Sequence, residues 1–218
     1  QIPLNAENTI TEVPHLEVVN RVMASKIAKL SGGDADAALR TGVFPFNIPF
    51  NRSKTELRLL LEHFRTDPAA FYKRFTATPA AETSAREYLG LSEEEFALIV
   101  TSQTDEGELK KCYGVFKAQE TLQSLTDVKR LRAAAELSAL QVTELLFQDL
   151  SDQEQADGVS RRFFINTEAA APSDTYLRLK LVDAPTPRLV LWVTAGSDAV
   201  PAGYFDRIHR FIRLARKT

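Results

Sequence analysis

Cysteine is nearly missing from this sequence, and so is any motif that could organise a metal or a nucleotide. Among 218 residues there is one cysteine, Cys112, so an intramolecular disulfide is excluded. No CxxC or Cys/His grouping offers the four ligands of a zinc site. Neither GxGxxG nor GxxxxGK(S/T) occurs, so the sequence contains no glycine-rich phosphate loop. Zinc-dependent, disulfide-based and P-loop scaffolds are therefore excluded.

Long apolar runs and an excess of basic charge are also missing. The longest apolar runs, such as Leu189–Val193, are far shorter than the roughly 20 residues that cross a bilayer. The first residues lack the basic and apolar regions of a signal peptide. The 27 Lys and Arg residues nearly balance 29 Asp and Glu residues, which gives a formal net charge of −2. We therefore expect a soluble chain that is not a dedicated nucleic-acid binder.

The residues that are present predict a mainly α-helical fold. Hydrophobic residues make up 44% and charged residues 26% of the chain, which is typical of globular domains. Val13–Leu30 carries an apolar stripe at helical spacing, and Gly32 and Gly33 then end it. Further helix starts are predicted at Asp127 and where a capping residue precedes a proline or stands three residues before Glu or Gln, namely at Ser53, Asp67, Thr78, Ser92 and Ser138. We expect short capped helices to form a helical domain over residues 1–160.

The pattern changes from a helical period to a period of two in the last third of the chain. Tyr176–Leu181 alternates apolar and basic residues, Arg188–Val193 alternates more weakly, and the turn-rich Asp183–Pro187 joins them. This predicts a small β-hairpin within residues 161–200, with Arg162–Asn166 as a candidate third strand. Because an isolated hairpin is marginally stable, its apolar face is expected to pack on the helices or on another chain.

A terminal helix over Tyr204–Lys217 is predicted to pack back on the helical domain, within residues 201–218. Its predicted apolar face consists of Phe205, Ile208, Phe211 and Ile212. The helix runs to Thr218 without a glycine, a proline or a polar tail. We expect this chain to be part of a longer polypeptide.

Candidate chemical residues are few, and each has a simple structural explanation. His15, His63 and His209 lie in three predicted helices without a recognisable nucleophile, so we expect surface or capping positions. The Asp34–Asp36 segment has the alternating acids of a calcium loop but lacks its glycine and glutamate, which favours a helix cap. Glu93–Glu95 suits the first turn of a helix better than acid–base catalysis. No catalytic, cofactor-binding or metal site is predicted.

Basic residues recur every third position in the terminal helix. Arg207, Arg210, Arg213, Arg216 and Lys217, together with Asp206, give this helix a local charge of five minus one, or +4. We predict that the arginines lie along one side of the helix. One interpretation is a stripe that binds nucleic acid or an acidic membrane. The other, which the balanced charge of the whole chain favours, is a solvated or subunit-facing edge.

Four segments carry a resemblance to a known family. Ile2–Thr9 followed by Val13–Asn20 resembles a phrase in which Asn-Thr leads to VPY-L-x-VVNE, and Phe44–Phe50 resembles LPFDLPL. Ala85–Glu95 is similar to A-E-x-LGLSPEE, and Phe205–Lys217 is similar to LDRIHRFIRLWRK. These are phrases of the A component of the insecticidal toxin complexes (Tc toxins), in the region shared with the Salmonella virulence plasmid A protein. Departures from the pattern are His15 for tyrosine, Arg21 for glutamate and Ala215 for tryptophan.

The resemblance implies a structural fragment of a very large pore-forming subunit. Five copies of that subunit would form an α-helical outer shell around a translocation channel, and this chain would be part of the shell. Other copies of the A subunit, the B and C toxin components and the host-cell membrane would be the partners. The resemblance implies no catalytic residue, no cofactor, no small-molecule substrate and no nucleic-acid partner. It implies that the protein is secreted or lies at the bacterial cell surface.

Two other functions compete with this one. A free-standing helical protein-binding virulence module of the same family would be monomeric, with natural termini. An enzyme with a site assembled from distant residues would show a deep pocket lined by two or more His, Asp or Glu side chains.

Overall fold

The computed structural model describes residues 14–146, 176–181, 187–192 and 199–217, and this part of the chain is mainly helical, as predicted. It contains ten α-helices, one 3-10 helix and two strands. In chain order these elements are α1 His15–Ser31, α2 Ala35–Thr41, α3 Arg52–His63, α4 Pro68–Phe75, α5 Ala81–Leu89, α6 Glu93–Val100, α7 Glu106–Cys112, the 3-10 helix Leu122–Thr126, α8 Val128–Ala135, α9 Ala139–Leu146, β1 Tyr176–Leu181, β2 Pro187–Trp192 and α10 Ala202–Ala215.

Four of the six predicted helix starts cap a described helix, namely Asp67, Ser92, Asp127 and Ser138. Ser92 starts α6 with a reciprocal capping box, in which its Oγ accepts from the Glu95 amide and its own amide donates to Glu95 Oε2. Ser138 and Gln141 make the same pair of hydrogen bonds at the start of α9. Asp67 and Asp127 cap α4 and α8 through their carboxylates. Local chemistry over four residues therefore decides where these helices start.

Two predicted helix starts are wrong. Helix α3 is capped by Asn51, whose Oδ1 accepts from the Lys54 amide at 3.1 Å, so Ser53 lies inside the first turn. Asparagine caps a helix as well as serine does, and here it comes two residues earlier. Thr78 does not cap α5, which begins at Ala81 without a side-chain cap. Alanine has the highest helix propensity and here begins the helix without a capping side chain.

The hydrophobic core of the described residues lies in the second half of the chain. It is built by α7, the 3-10 helix, α8, α9 and α10, together with Phe46 from the segment between α2 and α3. Leu109, Leu131, Phe205 and Ile208 are fully buried within it. Phe211, which was predicted to share this apolar face of α10, is 46% exposed. Residues 205, 208 and 212 therefore define the core side of α10.

The N-terminal helices are much less buried than those of the core. Helix α1 has no buried residue, and Leu61 is the one buried residue of α3. Apolar side chains on α1 are consequently exposed, with Leu16 at 73% and Leu30 at 75%. The apolar stripe correctly predicts a helix, and Gly32 ends it in a left-handed conformation at φ 71°. Within the described residues, most of the stripe stays exposed.

The backbone of β1 pairs antiparallel with β2, with Leu179 opposite Leu189. The connection 182–186 and the candidate strand Arg162–Asn166 lie outside the described residues. The hairpin connection, the third strand and the packing of the ribbon on the helices therefore stay predictions.

Candidate functional site

The polar side of α10 faces inward and holds the ends of other segments. Arg210 donates from Nε to the Ile99 carbonyl at 2.6 Å and from Nη2 to the Val100 carbonyl at 3.2 Å. These carbonyls belong to the last turn of α6, where the helix itself supplies no partner. An arginine from another helix therefore caps the C-terminus of α6.

Asp206 holds Arg210 in place and binds the segment after α6. Its carboxylate is 2% exposed and accepts from Ser102 Oγ and from the Gln103 amide, both at 2.9 Å. Arg210 Nη1 lies 3.3 Å from Asp206 Oδ2 in the same helix. Because each buried charge has partners of the opposite sign or polar donors, the pair stabilises the junction between α6 and α10.

Arg213 binds the segment between α2 and α3. Its guanidinium donates to the carbonyls of Val43, Phe46 and Ile48, and Cζ lies 5.0 Å from the centroid of the Phe46 ring. The side chain is 5% exposed. We call residues 43–50 the 43–50 loop, and Arg213 is its main polar attachment to α10.

Arg216 completes the set at the end of α10. Its Nη2 donates to the Ala135 carbonyl at 2.6 Å, at the C-terminus of α8, and its Nη1 lies 3.5 Å from Glu136 Oε2. Lys217 pairs with Glu95 of α6 at 2.6 Å. We define Arg210, Arg213 and Arg216 as the arginine clamp, since each binds backbone carbonyls of a different segment.

The prediction of a solvated or subunit-facing arginine edge is wrong for Arg207 and Arg213, which are buried, whereas Arg216 and Lys217 at the end of α10 are exposed. Arg207 is 9% exposed, Arg213 is more deeply buried, and Arg207 Cζ lies 4.5 Å from the Tyr204 ring centroid. A step of three residues falls about 60° short of a full helical turn, so the four arginines spread over roughly half the circumference. The guanidiniums of Arg210, Arg213 and Arg216 donate to backbone carbonyls within the chain.

His209 is buried, contrary to the predicted surface or capping position. It is 2% exposed, and its Nε2 accepts from Arg213 Nε at 3.2 Å. Burial and the neighbouring Arg213 charge lower the pKa of His209 to about 4, although Asp206 opposes the shift. His15 and His63 lie exposed on α1 and α3, as predicted. A histidine within an apolar stripe on α10 was a weak signal of burial, which the sequence analysis missed.

The acidic candidates act at helix starts, as predicted. Asp34 Oδ2 accepts from the Ala37 amide at 3.0 Å and caps α2. Glu95 completes the capping box of α6. Glu94 pairs with Arg40 of α2 at 2.7 Å. Burial raises the pKa of Glu94, but hydrogen bonds from Arg40 and from the helix start outweigh it and hold the pKa at about 2.

A cleft of about 420 Å³ lies between α2 and α6, with His209 in its lining. Val43, Pro49 and Leu98 supply apolar wall, and Arg40 with Glu94 supplies a charged pair. Glu94 is bound to Arg40, and His209 accepts from Arg213. Both titratable groups are therefore engaged in structural contacts, and no serine or cysteine nucleophile is part of this lining.

Two further kinds of site concern the described residues, namely a metal centre and a membrane span. No group of three or more His, Cys, Asp or Glu side chains there is placed to hold a metal ion. None of the helices in the same part of the chain is long and apolar enough to span a membrane. Cys112 is a free, buried thiol whose pKa is raised by burial.

Comparison with known proteins gives no relative, since no family model, curated protein or solved structure matches the chain. The resemblance of the four sequence segments to the Tc toxin A component therefore stays a prediction that rests on those segments alone.

Proposed function

We propose that this chain is a structural fragment of a pore-forming toxin-complex A subunit, within the α-helical outer shell that surrounds the translocation channel. In this proposal the chain is not an enzyme, the parent protein is secreted or held at the bacterial surface, and it assembles as a homopentamer. The B and C components and the host membrane are partners of the full-length subunit. The pair of strands β1 and β2 supports the helices of the shell or contacts a neighbouring subunit.

The arginine clamp is the observation that carries the structural part of this proposal. Three arginine side chains of α10 donate hydrogen bonds to backbone carbonyls of α6, of α8 and of the 43–50 loop. A binding or catalytic site needs polar groups directed at a ligand, whereas these groups connect segments of the same chain. Such an arrangement suits a module whose work is to keep its shape under load.

The exposed apolar residues of the N-terminal helices support a chain that works within a larger assembly. Leu16, Met23 and Leu30 on α1, Leu60 on α3 and Phe64 directly after α3 are all more than half exposed. Single exposed apolar residues are ordinary, but several along one helix commonly mark an interaction surface. In a shell these faces would meet other parts of the subunit or the next subunit.

The parent polypeptide tests the proposal directly. We expect the reading frame that contains this sequence to encode a chain many times longer, and the purified parent to have the mass of five copies by light scattering. A parent chain of about this length that remains monomeric contradicts the shell function and supports the second candidate, a free-standing helical protein-binding virulence module of the same family. The exposed face of α1 favours that module equally, so the oligomeric state separates the two.

A further inference from the structure

The imidazole of His209 is an ionisable group at a core position where an apolar side chain would be sufficient for packing. Its ring centroid lies 6.1 Å from that of Phe46 and 6.2 Å from that of Tyr113, inside the core. On its remaining side Arg213 donates to Nε2. The imidazole is therefore held between two aromatic rings and one guanidinium.

The same guanidinium joins this imidazole to the 43–50 loop. Arg213 uses Nε for His209 and its two terminal nitrogens for the carbonyls of Val43, Phe46 and Ile48. Nε2 of His209 can accept this hydrogen bond only while it carries no proton. The protonation state of one ring is thus linked to the attachment of one loop.

Charged groups on α10 oppose each other around His209. Arg213 and Arg210 disfavour a second positive charge, whereas the buried Asp206 carboxylate favours it. Asp206 is already bound to Ser102, Gln103 and Arg210. Its charge is therefore largely compensated, and burial together with Arg213 keeps the ring neutral at pH 7.

The other elements packed around His209 add no compensating charge. At the end of α7, burial raises the pKa values of Cys112 and Tyr113, so both groups are neutral. Across the cleft, Glu94 and Arg40 form a pair of opposite charges. The 43–50 loop presents carbonyl oxygens to Arg213 and an aromatic ring to His209.

We propose that His209 is an acid-sensitive latch: protonation of its imidazole displaces Arg213 and releases the 43–50 loop from α10. A protonated ring would direct an N–H at the Nε–H of Arg213, so two buried cations would meet without an acceptor between them. Arg213 can relieve this contact by leaving its site, which frees the three loop carbonyls. The loop links α2 to α3, so its release loosens the attachment of the N-terminal helices to the core.

The sign of the effect follows from the lowered pKa. The folded ring has a pKa of about 4 against an ordinary value of 6.5, so its stabilising effect is complete above 6.5 and declines as the pH falls toward 4. The opening equilibrium of the loop should therefore shift by about twentyfold between pH 7 and pH 5. The α7 and α8 amides should keep their protection over the same range.

Hydrogen exchange read by mass spectrometry tests the latch. Exchange of the amides in residues 43–50, divided by their intrinsic rates, should rise about twentyfold between pH 7 and pH 5 in the natural chain. His209→Gln keeps an acceptor near the Nε2 position but does not titrate, so its loop exchange should be independent of pH. His15→Gln, at an exposed site, serves as the matched control and should behave like the natural chain.

The latch is overturned if His209→Gln retains the full pH dependence, or if the loop and the core lose protection together. A second measurement needs no variant. In the NMR spectrum of the natural chain, the His209 ring should titrate well below 6.5, in step with shifts of the 43–50 amides. Titration near 6.5 with an unchanged loop contradicts the proposal.

Discussion

At the residue scale, the single side chain of Arg213 attaches the 43–50 loop to α10. It reaches three carbonyls of the 43–50 loop and an imidazole, and it is nearly inaccessible to solvent. Lysine has one nitrogen in place of the planar fork and cannot serve all four acceptors. The sequence offers no sign of this role, because all the loop partners are more than 160 residues away.

We therefore expect Arg213→Lys to destabilise the fold by about 2–3 kcal/mol, since it leaves buried carbonyls without donors. Urea unfolding at pH 7 measures the change. Arg74→Lys, at an exposed position of α4, is the control and should change stability by less than about 0.5 kcal/mol. Equal stability of the two variants would mean that the loop is not held by the guanidinium.

The pairing of Glu94 with Arg40 should make the free energy of unfolding depend on pH in the acidic range. Its pKa of about 2 lies below its usual value of 4.5, so its pairing with Arg40 is stabilising above 4.5 and is lost as the pH falls toward 2. Glu94→Gln should lower the unfolding free energy by roughly 1–2 kcal/mol at pH 7 and by much less at pH 3. Chemical unfolding at both pH values, with Glu93→Gln as the control, measures the difference. A deficit that is the same at both pH values contradicts the assignment.

At the scale of elements, the sequence predicts helix boundaries well because capping is local. The Ser92 box, the Asp67 cap and the Gly32 stop each depend on residues within one turn, so they can be recognised without the fold. Where two capping residues compete, as Asn51 and Ser53 do, spacing alone does not decide. Which side of α10 faces the core depends on partners far away in the sequence, so the burial of Arg207 and Arg213 was not predicted.

The competition between Asn51 and Ser53 can be tested directly. Asn51→Ala removes the oxygen that accepts from the Lys54 amide and should cost about 1 kcal/mol. Ser53→Ala lies in the first turn of α3, exposed, and should change stability by less than about 0.5 kcal/mol. Thermal unfolding of both variants gives the comparison. The reverse order would restore Ser53 as the cap.

At the scale of the whole molecule, the sequence predicts that the fold is mainly helical, but it does not predict which helices form the core. The apolar stripe on α1 has the same period as the one on α10, yet α10 forms the core and α1 remains exposed. Periodicity identifies a face that must be covered, but it does not name what covers it. The arginine clamp was not predicted for the same reason, because it consists of contacts between residues far apart in sequence.

The shell function makes a prediction for that exposed face. Leu16→Gln with Leu30→Gln should leave the unfolding free energy of this chain within about 0.5 kcal/mol, since both side chains are exposed. In the parent subunit the same pair should weaken assembly, measured by light scattering. Ala24→Gln, elsewhere on the exposed α1 surface, is the control. Unchanged assembly would place α1 away from the subunit contacts.

Electron cryomicroscopy of the purified parent protein is the most direct test of the central claim. We expect five-fold particles in which this segment lies in the outer helical wall, with α10 bound to α6, α8 and the 43–50 loop. A monomeric particle, or a map in which this segment encloses a bound metabolite, would contradict it.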